Sequence, residues 1–503
     1  MTKLVRAVES DESGTVTAVY RVEDNALTIP LQRTSVLQRL INVFLPAGFP
    51  SSVTDDYVGY QIYDSLQAFS SSIAQLLTSR AVLQGFGVGD ANASATSALL
   101  LTVLQDTAGR LATILFAHKF GTALEAECKT YRFAADIFND LAMVMDCLSP
   151  LFVPAPLMRV GLLCLSGVLR ALCGVAGGAS KASLSVHFAK SGNVAELNAK
   201  ASSKETVISL LGMLVGSFVV SQVTSPLSTW TLLILLLIVH LATNYKAVRC
   251  VSINTLNRQR ISILFATFHN DSTILTPAQA SAYERILTTG NTLRWGNEVI
   301  GTCEISTKFS ALLYSVGRDT AGEFTVEVDR IPVSASTPET ITSLATVLEN
   351  ENYLLWFSPP PESHSSFSFS RFGLRGKGIH PHITIVLKTS ADTKDTIKAW
   401  IHALLVAVEL TQLQKFVPEK PWWRLMAVEK IHIVEFTLRK VVIAWEEFVE
   451  GLEGAGWDLG TAAVETGVRW RVQMEREMEG REKGEGDGEG EGEMVVEKVG
   501  GEL

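Results

Sequence analysis

Residues 207–245 read VISLLGMLVGSFVVSQVTSPLSTWTLLILLLIVHLATNY, 39 positions without a single Asp, Glu, Lys or Arg. A helix needs about 20 apolar residues to cross the hydrocarbon core of a bilayer. The stretch therefore holds two spans, hinged at Ser225-Pro226. A hairpin buried in a large soluble core is the competing reading. Soluble helices rarely stay apolar on every face for so long, so the spanning reading leads.

Four weaker segments precede it. Residues 57–78 are interrupted only by Asp64, and residues 96–117 carry Asp106 and Arg110. Residues 133–153 carry Asp136, Asp140 and Asp146, and residues 157–177 carry Arg159 and Arg170. Each has a span's length but too many charges to face lipid all round. Those charges must turn toward one another, toward the bundle interior or toward the interface. Connecting segments give an independent test. Lys and Arg number three in 118–132, four in 178–205 and four in 246–260, but one in 79–93 and none in 150–156 or 225–228. Basic and non-basic loops alternate as six spans obeying the positive-inside rule require, which places both ends of the chain on the cytoplasmic or equivalent side.

Composition agrees. Of 503 residues, 47% are apolar and 19% charged, with a mean hydropathy of +0.23; soluble domains carry about 25% charged residues. The formal charge of −9 is concentrated at one end, because residues 475–503 hold 11 acids and 4 bases. The remainder is nearly neutral and shows no footprint for nucleic acid. Six cysteines, none in a C-x-x-C spacing, read as small apolar residues of the helices. The first residues form no apolar signal region, and Glu9, Asp11, Glu12, Glu23 and Asp24 argue against a transit peptide. Insertion is expected to use internal segments.

The expected organisation is a loosely ordered segment over 1–40 with a short helix around 33–45, then a multi-span helical domain over 41–250. A C-terminal α/β domain follows over 251–470, and a disordered acidic tail over 471–503. Within the α/β domain, Thr276-Pro277 opens a helix to Thr288. Strands are predicted at Phe309–Val316, Phe324–Val328, Tyr353–Phe357 and His382–Leu387. Helices are predicted at 338–350, Lys394–Leu410 and 427–450. The fold class is thus mainly α: a polytopic transmembrane helical bundle followed by a small α/β domain and a disordered acidic tail.

Several motifs carry a family resemblance. They begin with Phe44-Leu-Pro-Ala-Gly-Phe-Pro-Ser-Ser-Val53, Asp56-Tyr-Val-Gly-Tyr-Gln61, Leu66-Gln67 and Gly85-Phe-Gly-Val-Gly89. Asp106-Thr-Ala-Gly-Arg110, Arg132-Phe-Ala-Ala-Asp136 and Asn139-Asp140 come next. Ser180-Lys-Ala-Ser-Leu-Ser-Val-His-Phe-Ala-Lys-Ser-Gly-Asn193 and Asn257-Arg-Gln-Arg260 complete the series. Taken in order, the chain resembles the root UV-B sensitive family over about residues 40–265, and more loosely beyond. The resemblance implies a membrane-associated protein. Through plant members it implies a link to root UV-B responses, plastids and vitamin B6 homeostasis. It carries over no catalytic residues, and with no plastid-type transit peptide read in the first residues a plastid location is not the expectation here.

Several groups are candidates for chemistry. Asp106 and Arg110 share a helix face at i and i+4, as a gating pair or as a structural ion pair. Asp136 and Asp140, also four apart, repel each other in a low dielectric. That suits proton or cation coupling, unless the helix lies near the interface with both acids hydrated. Asp55 and Asp56 precede a helix and read as caps. Lys181, His187, Lys190 and Asn193 fall in the longest basic loop. A Schiff-base lysine there would need a buried acid partner, so a loop meeting lipid headgroups is the simpler reading. His380-Pro-His382 lacks a third metal ligand. Gly373–Gly378 is a weak phosphate-loop pattern, and Gly174-Val-Ala-Gly-Gly178 weakly echoes the earlier glycine cluster. Pro421-Trp-Trp-Arg424 suits either a membrane surface or domain packing.

No nucleophile, metal or cofactor constellation is complete, so neither an enzyme nor a bound cofactor is expected. The leading expectation is a multi-pass membrane protein, its partner the lipid bilayer, binding or moving a small polar ligand past Asp106, Arg110, Asp136 and Asp140. The alternative is a membrane-anchored scaffold whose α/β domain recruits soluble protein partners or a homologous family member.

Overall fold

The structure, a computed structural model, describes residues 5–10, 16–23, 26–28, 43–85, 95–288, 290–320, 337–360 and 380–474. The chain starts with a small antiparallel sheet of β1 (Val5–Ser10), β2 (Val16–Glu23) and β3 (Ala26–Thr28), in that order. Alternating residues such as Val16, Ala18 and Tyr20 support this pairing. The segment expected to be loosely ordered is therefore partly strand. The short helix expected around 33–45 lies largely outside the described residues.

Six long helices then form a bundle: α1 (Tyr57–Gly85), α2 (Ala95–Phe120), α3 (Cys128–Leu148), α4 (Pro156–Phe188), α5 (Val194–Gln222) and α6 (Pro226–Cys250). They coincide with the six expected segments. Pro156 and Pro226 sit at helix starts, where proline's missing N–H costs nothing. Helices α1, α3, α4 and α6 pack centrally, α2 lies mainly on α4, and α5 lies mainly on α1. One seam is very close. A Cβ built on Gly212 would stand 2.9 Å from the Phe69 carbonyl oxygen, and one on Gly216 3.2 Å from the Ile73 Cα. Only hydrogen at these two positions lets α5 meet α1 backbone to backbone.

The outer face of the bundle is largely apolar, with Asp106 and Arg110 on α2 as exposed exceptions. Leu100, Ile114 and Leu115 on α2, Leu214 and Phe218 on α5, and Leu235 and Ile238 on α6 are all exposed. By length and hydropathy α2, α4, α5 and α6 qualify to cross a membrane, with only 11–17% of the apolar window buried inside the protein. Helix α3 does not qualify because Lys129, Arg132, Asp136, Asp140 and Asp146 fall within it, and α1 does not because its Ser, Gln and Tyr residues lower its hydropathy. The expected basic loop at 178–205 shrinks to residues 189–193. Helices α4 and α5 run on past the apolar belt, placing Lys181 and His187 on α4.

Beyond the bundle come β4 (Thr255–Asn257), α7 (Arg258–Asp271) and α8 (Pro277–Tyr283). Next are the hairpin β5 (Thr292–Trp295) and β6 (Glu298–Ile305), then α9 (Phe309–Thr320), α10 (Thr337–Val347) and β7 (Tyr353–Ser358). The chain continues with β8 (His382–Lys388), α11 (Thr393–Phe416), α12 (Ala427–Gly454), β9 (Asp458–Ala463) and β10 (Arg471–Val472). Strand β8 is central. β7 pairs antiparallel along it from Tyr353 opposite Leu387 to Ser358 opposite His382. On its other edge β6 runs parallel and β10 adds a short parallel pairing at Leu387 and Lys388. All six residues of β7 are buried, the pattern of a strand covered on both faces.

Helix α11 is also long and apolar enough to span a bilayer, yet 67% of its apolar window is buried, against 11–17% for the bundle helices. Its apolar surface is core, filled by Trp400, Leu404 and Leu410. Trp422 is buried in the same core, so domain packing accounts for the Trp-Trp pair.

The predicted strand Phe309–Val316 is helix α9. Phe309, Leu312 and Val316 recur at helical spacing, and a short apolar run conceals that period. The β5–β6 hairpin was not expected, although its two-residue Gly296-Asn297 turn, with Gly296 at φ +58°, is a hairpin signal. The helix at Pro277 stops at Tyr283 rather than Thr288, opened by a Thr276/Gln279 capping box. Residues 471–474, placed in the tail by sequence, include β10, and the acidic run from Glu475 lies outside the described residues. So do the predicted strand Phe324–Val328, the Gly373–Gly378 loop and residues 86–89 of the first glycine cluster.

Candidate functional site

Three bundle helices each turn a polar stripe inward at helical spacing. Helix α1 presents Tyr60, Asp64 and Gln67, α3 presents Arg132, Asp136 and Asp140, and α6 presents His240 and Asn244. All eight side chains are buried, His240 and Asn244 to 1% and 0% exposure. An apolar bundle tolerates such groups only when they satisfy one another.

Arg132 is the hub. Its Nη2 donates to Asp64 Oδ1 and Gln67 Oε1, both at 3.0 Å, and its Nη1 to Asp136 Oδ1 at 3.0 Å. Its Nε reaches the Tyr60 hydroxyl at 3.3 Å. The Gln67 and Asn244 amides both donate to Asp136 Oδ2. One helical turn along, His240 Nδ1 bonds Asp140 Oδ1 at 2.7 Å, with its Nε2 3.7 Å from Asp136 Oδ2. Lys204 of α5 approaches Asp64 Oδ2 at 3.8 Å. Asp140 Oδ2 and Asn244 Oδ1 are buried without a hydrogen-bond partner among the described residues. The cluster thus joins three carboxylates, one guanidinium, one lysine and one imidazole, and it keeps unused acceptor atoms.

Asp136 and Asp140 accordingly lie in the interior and face α6. Asp106 and Arg110 are exposed on α2, away from this cluster. Lys181 pairs with Glu205 at 2.5 Å, and Lys190 with Asp55 at 3.3 Å. His187 Nε2 meets Asp56 Oδ2 at 2.9 Å, so all three residues bind carboxylates at the end of the bundle. His382 begins β8 and bonds the Thr302 hydroxyl at 3.0 Å. Sequence reasoning passed over Arg132, His240, Asn244 and Gln67 as site residues. The signal that finds them is a lone polar residue in an apolar helix, repeated four positions along.

The same end of the bundle carries the C-terminal domain on buried ion pairs. Glu284 accepts from Lys129 of α3 and from Arg260 of α7. Burial alone would raise the Glu284 carboxyl, but these two cations hold it below its ordinary value. Arg249 adds bonds from α6 to the carbonyls of Ser281, Ala282 and Glu284 at 2.7–3.1 Å.

Residues 30–272 match the family model described as the vitamin B6 photo-protection and homoeostasis domain. Residues 374–474 match that of the C-terminal region of root UVB sensitive proteins. RUS family member 1 of Dictyostelium discoideum is 41% identical over 252 residues, covering 49% of this chain and 47% of that protein. Protein root UVB sensitive 3 of Arabidopsis thaliana is 40% identical over 254 residues, covering 50% and 57%. Root UVB sensitive 2 of the same plant, named chloroplastic, is 26% identical over 268 residues, covering 53% and 60%. The matched region spans about half the length of these relatives. No solved structure matches the chain. Both domains, in the order the motifs appear along the sequence, place the chain in the root UV-B sensitive family.

Proposed function

We propose that the chain is a multi-pass membrane protein whose buried cluster binds, and passes across the bundle, a small polar molecule carrying a positive charge or a mobile proton. The supporting observation is the Asp140–His240 pair beside Asp136, set in a bundle whose outer face is largely apolar. Contiguous exposed apolar surface on this scale belongs against lipid, and ionisable groups inside a spanning bundle mark ion or substrate paths. Three carboxylates face Arg132 and Lys204, so a proton on His240 or a bound cation balances the site. The family description makes a vitamin B6 compound, or a molecule coupled to its balance, the first cargo to test.

The test is a thermal-shift screen of the full chain in detergent against B6 vitamers, organic cations and nucleotides. A ligand at about 100 times its Kd stabilises the fold by roughly 2.7 kcal/mol. The expected result is a hit that Asp136→Asn abolishes while the unliganded variant stays folded and monodisperse. A hit by a cationic ligand that is unchanged in Asp136→Asn and in Asp140→Asn would remove the cluster from the binding path.

A second reading, a membrane-anchored scaffold, draws on Phe416 and Ile443 of the C-terminal domain, each 83% exposed. It requires that Phe416→Ser with Ile443→Ser abolish capture of a soluble partner by the full chain. Capture unchanged by both substitutions would reject it.

A further inference from the structure

A second site sits where the bundle meets the C-terminal domain. Helix α7, the β5–β6 hairpin and the segment after α8 enclose a cavity of about 280 Å³, and Glu127 closes its floor just before α3. Sites for small molecules run from about 300 Å³ upward, so the space suits a metabolite with one ring.

The lining has complementary parts. Arg285 and Arg294 lie on one wall, tied to the same turn: Arg285 Nη2 donates to Asn297 Oδ1 at 3.1 Å, and Arg294 Nη1 to the Asn297 carbonyl at 3.4 Å. Arg294 Nε is buried with no hydrogen-bond partner among the described residues. No carboxylate pairs with either guanidinium in the described structure, and burial together with the neighbouring Arg285 lowers the Arg294 pKa. Two adjacent guanidiniums with spare donors are an anion's binding geometry.

Beside them stands Trp295, partly buried, its ring held by an edge-to-face contact with His269 at 5.4 Å between centroids. A held indole offers a face for stacking. Also in the lining, Glu127 spends Oε2 on the Asn257 amide at 3.4 Å, while Oε1 is buried and unpartnered. A Cβ on Gly290 would lie 3.7 Å from that oxygen, so backbone lines the approach to it. Burial pushes the Glu127 carboxyl up to about 7 despite Arg260 and Arg258, so it can accept a proton or a hydrogen bond from a ligand near neutral pH.

We propose that this junction cavity binds a small planar heteroaromatic anion: its phosphate or carboxylate on Arg285 and Arg294, its ring on Trp295, and a ring N–H or hydroxyl on Glu127 Oε1. Among the described lining residues there is no lysine, so the lining offers no amine for a Schiff base. The site is separate from the buried cluster and does not rest on that reading.

The probe is pyridoxine 5′-phosphate, which carries ring and phosphate but no aldehyde to react with surface lysines. Pyridoxine, 4-pyridoxate and inorganic phosphate serve as partial probes, each titrated calorimetrically into the full chain in detergent. The expected result is saturable binding of at least one ring-bearing anion. Pyridoxine and phosphate should bind roughly tenfold more weakly or worse, a loss of about 1.4 kcal/mol. Arg294→Met and Trp295→Ala should each cost roughly tenfold or more. The exposed Arg285 gives a third variant, Arg285→Met, if either of these fails to fold. Asp136→Asn should leave the binding of these anions intact while abolishing any hit by a cation at the bundle cluster. Absence of saturable binding up to about 1 mM, affinity unchanged in the arginine variants, or equal affinity for bare phosphate would each overturn the proposal. Binding lost in Asp136→Asn but kept in Arg294→Met would move the ligand into the bundle, overturning this site while supporting the earlier reading.

Discussion

His240 and Asp140, a hundred residues apart in the chain, are joined by a 2.7 Å bond between Nδ1 and Oδ1 in the middle of an apolar helical bundle. Each is buried to within 5% of full enclosure. Removing one partner leaves the other's polarity uncompensated, which costs about 3–5 kcal/mol in buried pairs. His240→Phe should therefore lower the Tm of the detergent-purified protein strongly. Adding Asp140→Leu should recover part of the loss. Strictly additive effects in this double-mutant cycle would mean that the pair is not coupled.

The α1–α5 seam gives a second prediction. Gly212 and Gly216 stand where a methyl group would press on α1 backbone, whereas a Cβ at Gly161 meets nothing within 4 Å. Gly216→Val should cost several kcal/mol through overpacking, beyond the roughly 1–3 typical of tolerant cores. Gly161→Ala should be neutral or gain up to about 1 kcal/mol from helix propensity. Equal Tm values for the two variants would show that α5 does not pack on α1 as described.

How far the sequence could be read depended on whether local pattern or partner choice decides an element. Helices α5 and α6 follow from local composition, because length and apolarity alone limit what 39 uncharged residues can form, and the four charged segments before them follow from their span-length apolar runs. The spacing of Asp136 and Asp140 puts both acids on one helix face, but it leaves open whether that face is interior or hydrated. Their partners were not legible, since nothing local says that α6 rather than α2 faces α3. For the same reason Asp106 and Arg110 looked equivalent to them yet lie exposed. Helix α9 was misread because Phe309–Val316 spans only two helical turns, too few to separate a period of 3.6 from 2. The β5–β6 hairpin was missed because its two-residue Gly-Asn turn is brief and its strands are mixed in polarity.

Asp56 links three segments at one end of the bundle and should make stability sensitive to acid. Burial would raise its carboxyl. Instead His187 at 2.9 Å, the Thr54 hydroxyl at 2.5 Å and the Ser252 N–H at 2.7 Å hold it down to about 2, against an ordinary 3.8. A depressed carboxylate stabilises the fold fully above its unfolded pKa and loses that contribution as pH falls through its folded pKa. The window is therefore pH 4 down to 2, and the contribution roughly 2 kcal/mol. Asp56→Asn should lower the Tm at pH 7 and flatten the acid limb below about pH 4. An identical acid limb in variant and parent would contradict the assignment.

His402 should dominate a different window, in the C-terminal core and away from the bundle. It is fully buried on α11. Nε2 donates to the Val434 carbonyl at 3.0 Å and lies 3.1 Å from Thr437 Oγ1, and Nδ1 accepts from the Tyr353 hydroxyl at 3.0 Å. Those partners select the neutral tautomer. Burial outweighs the Val434 bond and brings the pKa from 6.5 to about 4, with Lys398 adding to the fall. The unfolded chain then binds the proton more readily than the folded one between pH 6.5 and 4, so stability falls as pH drops through that range. From pH 7 to 5 the loss should be roughly 2 kcal/mol. Urea unfolding followed by the fluorescence of Trp356 and Trp400, which lie in this core, reads it directly. In His402→Gln the protein should start less stable at pH 7, because the amide cannot reproduce all three contacts, and should lose distinctly less on going to pH 5. If variant and parent lose the same amount, His402 is not the group that carries the pH response.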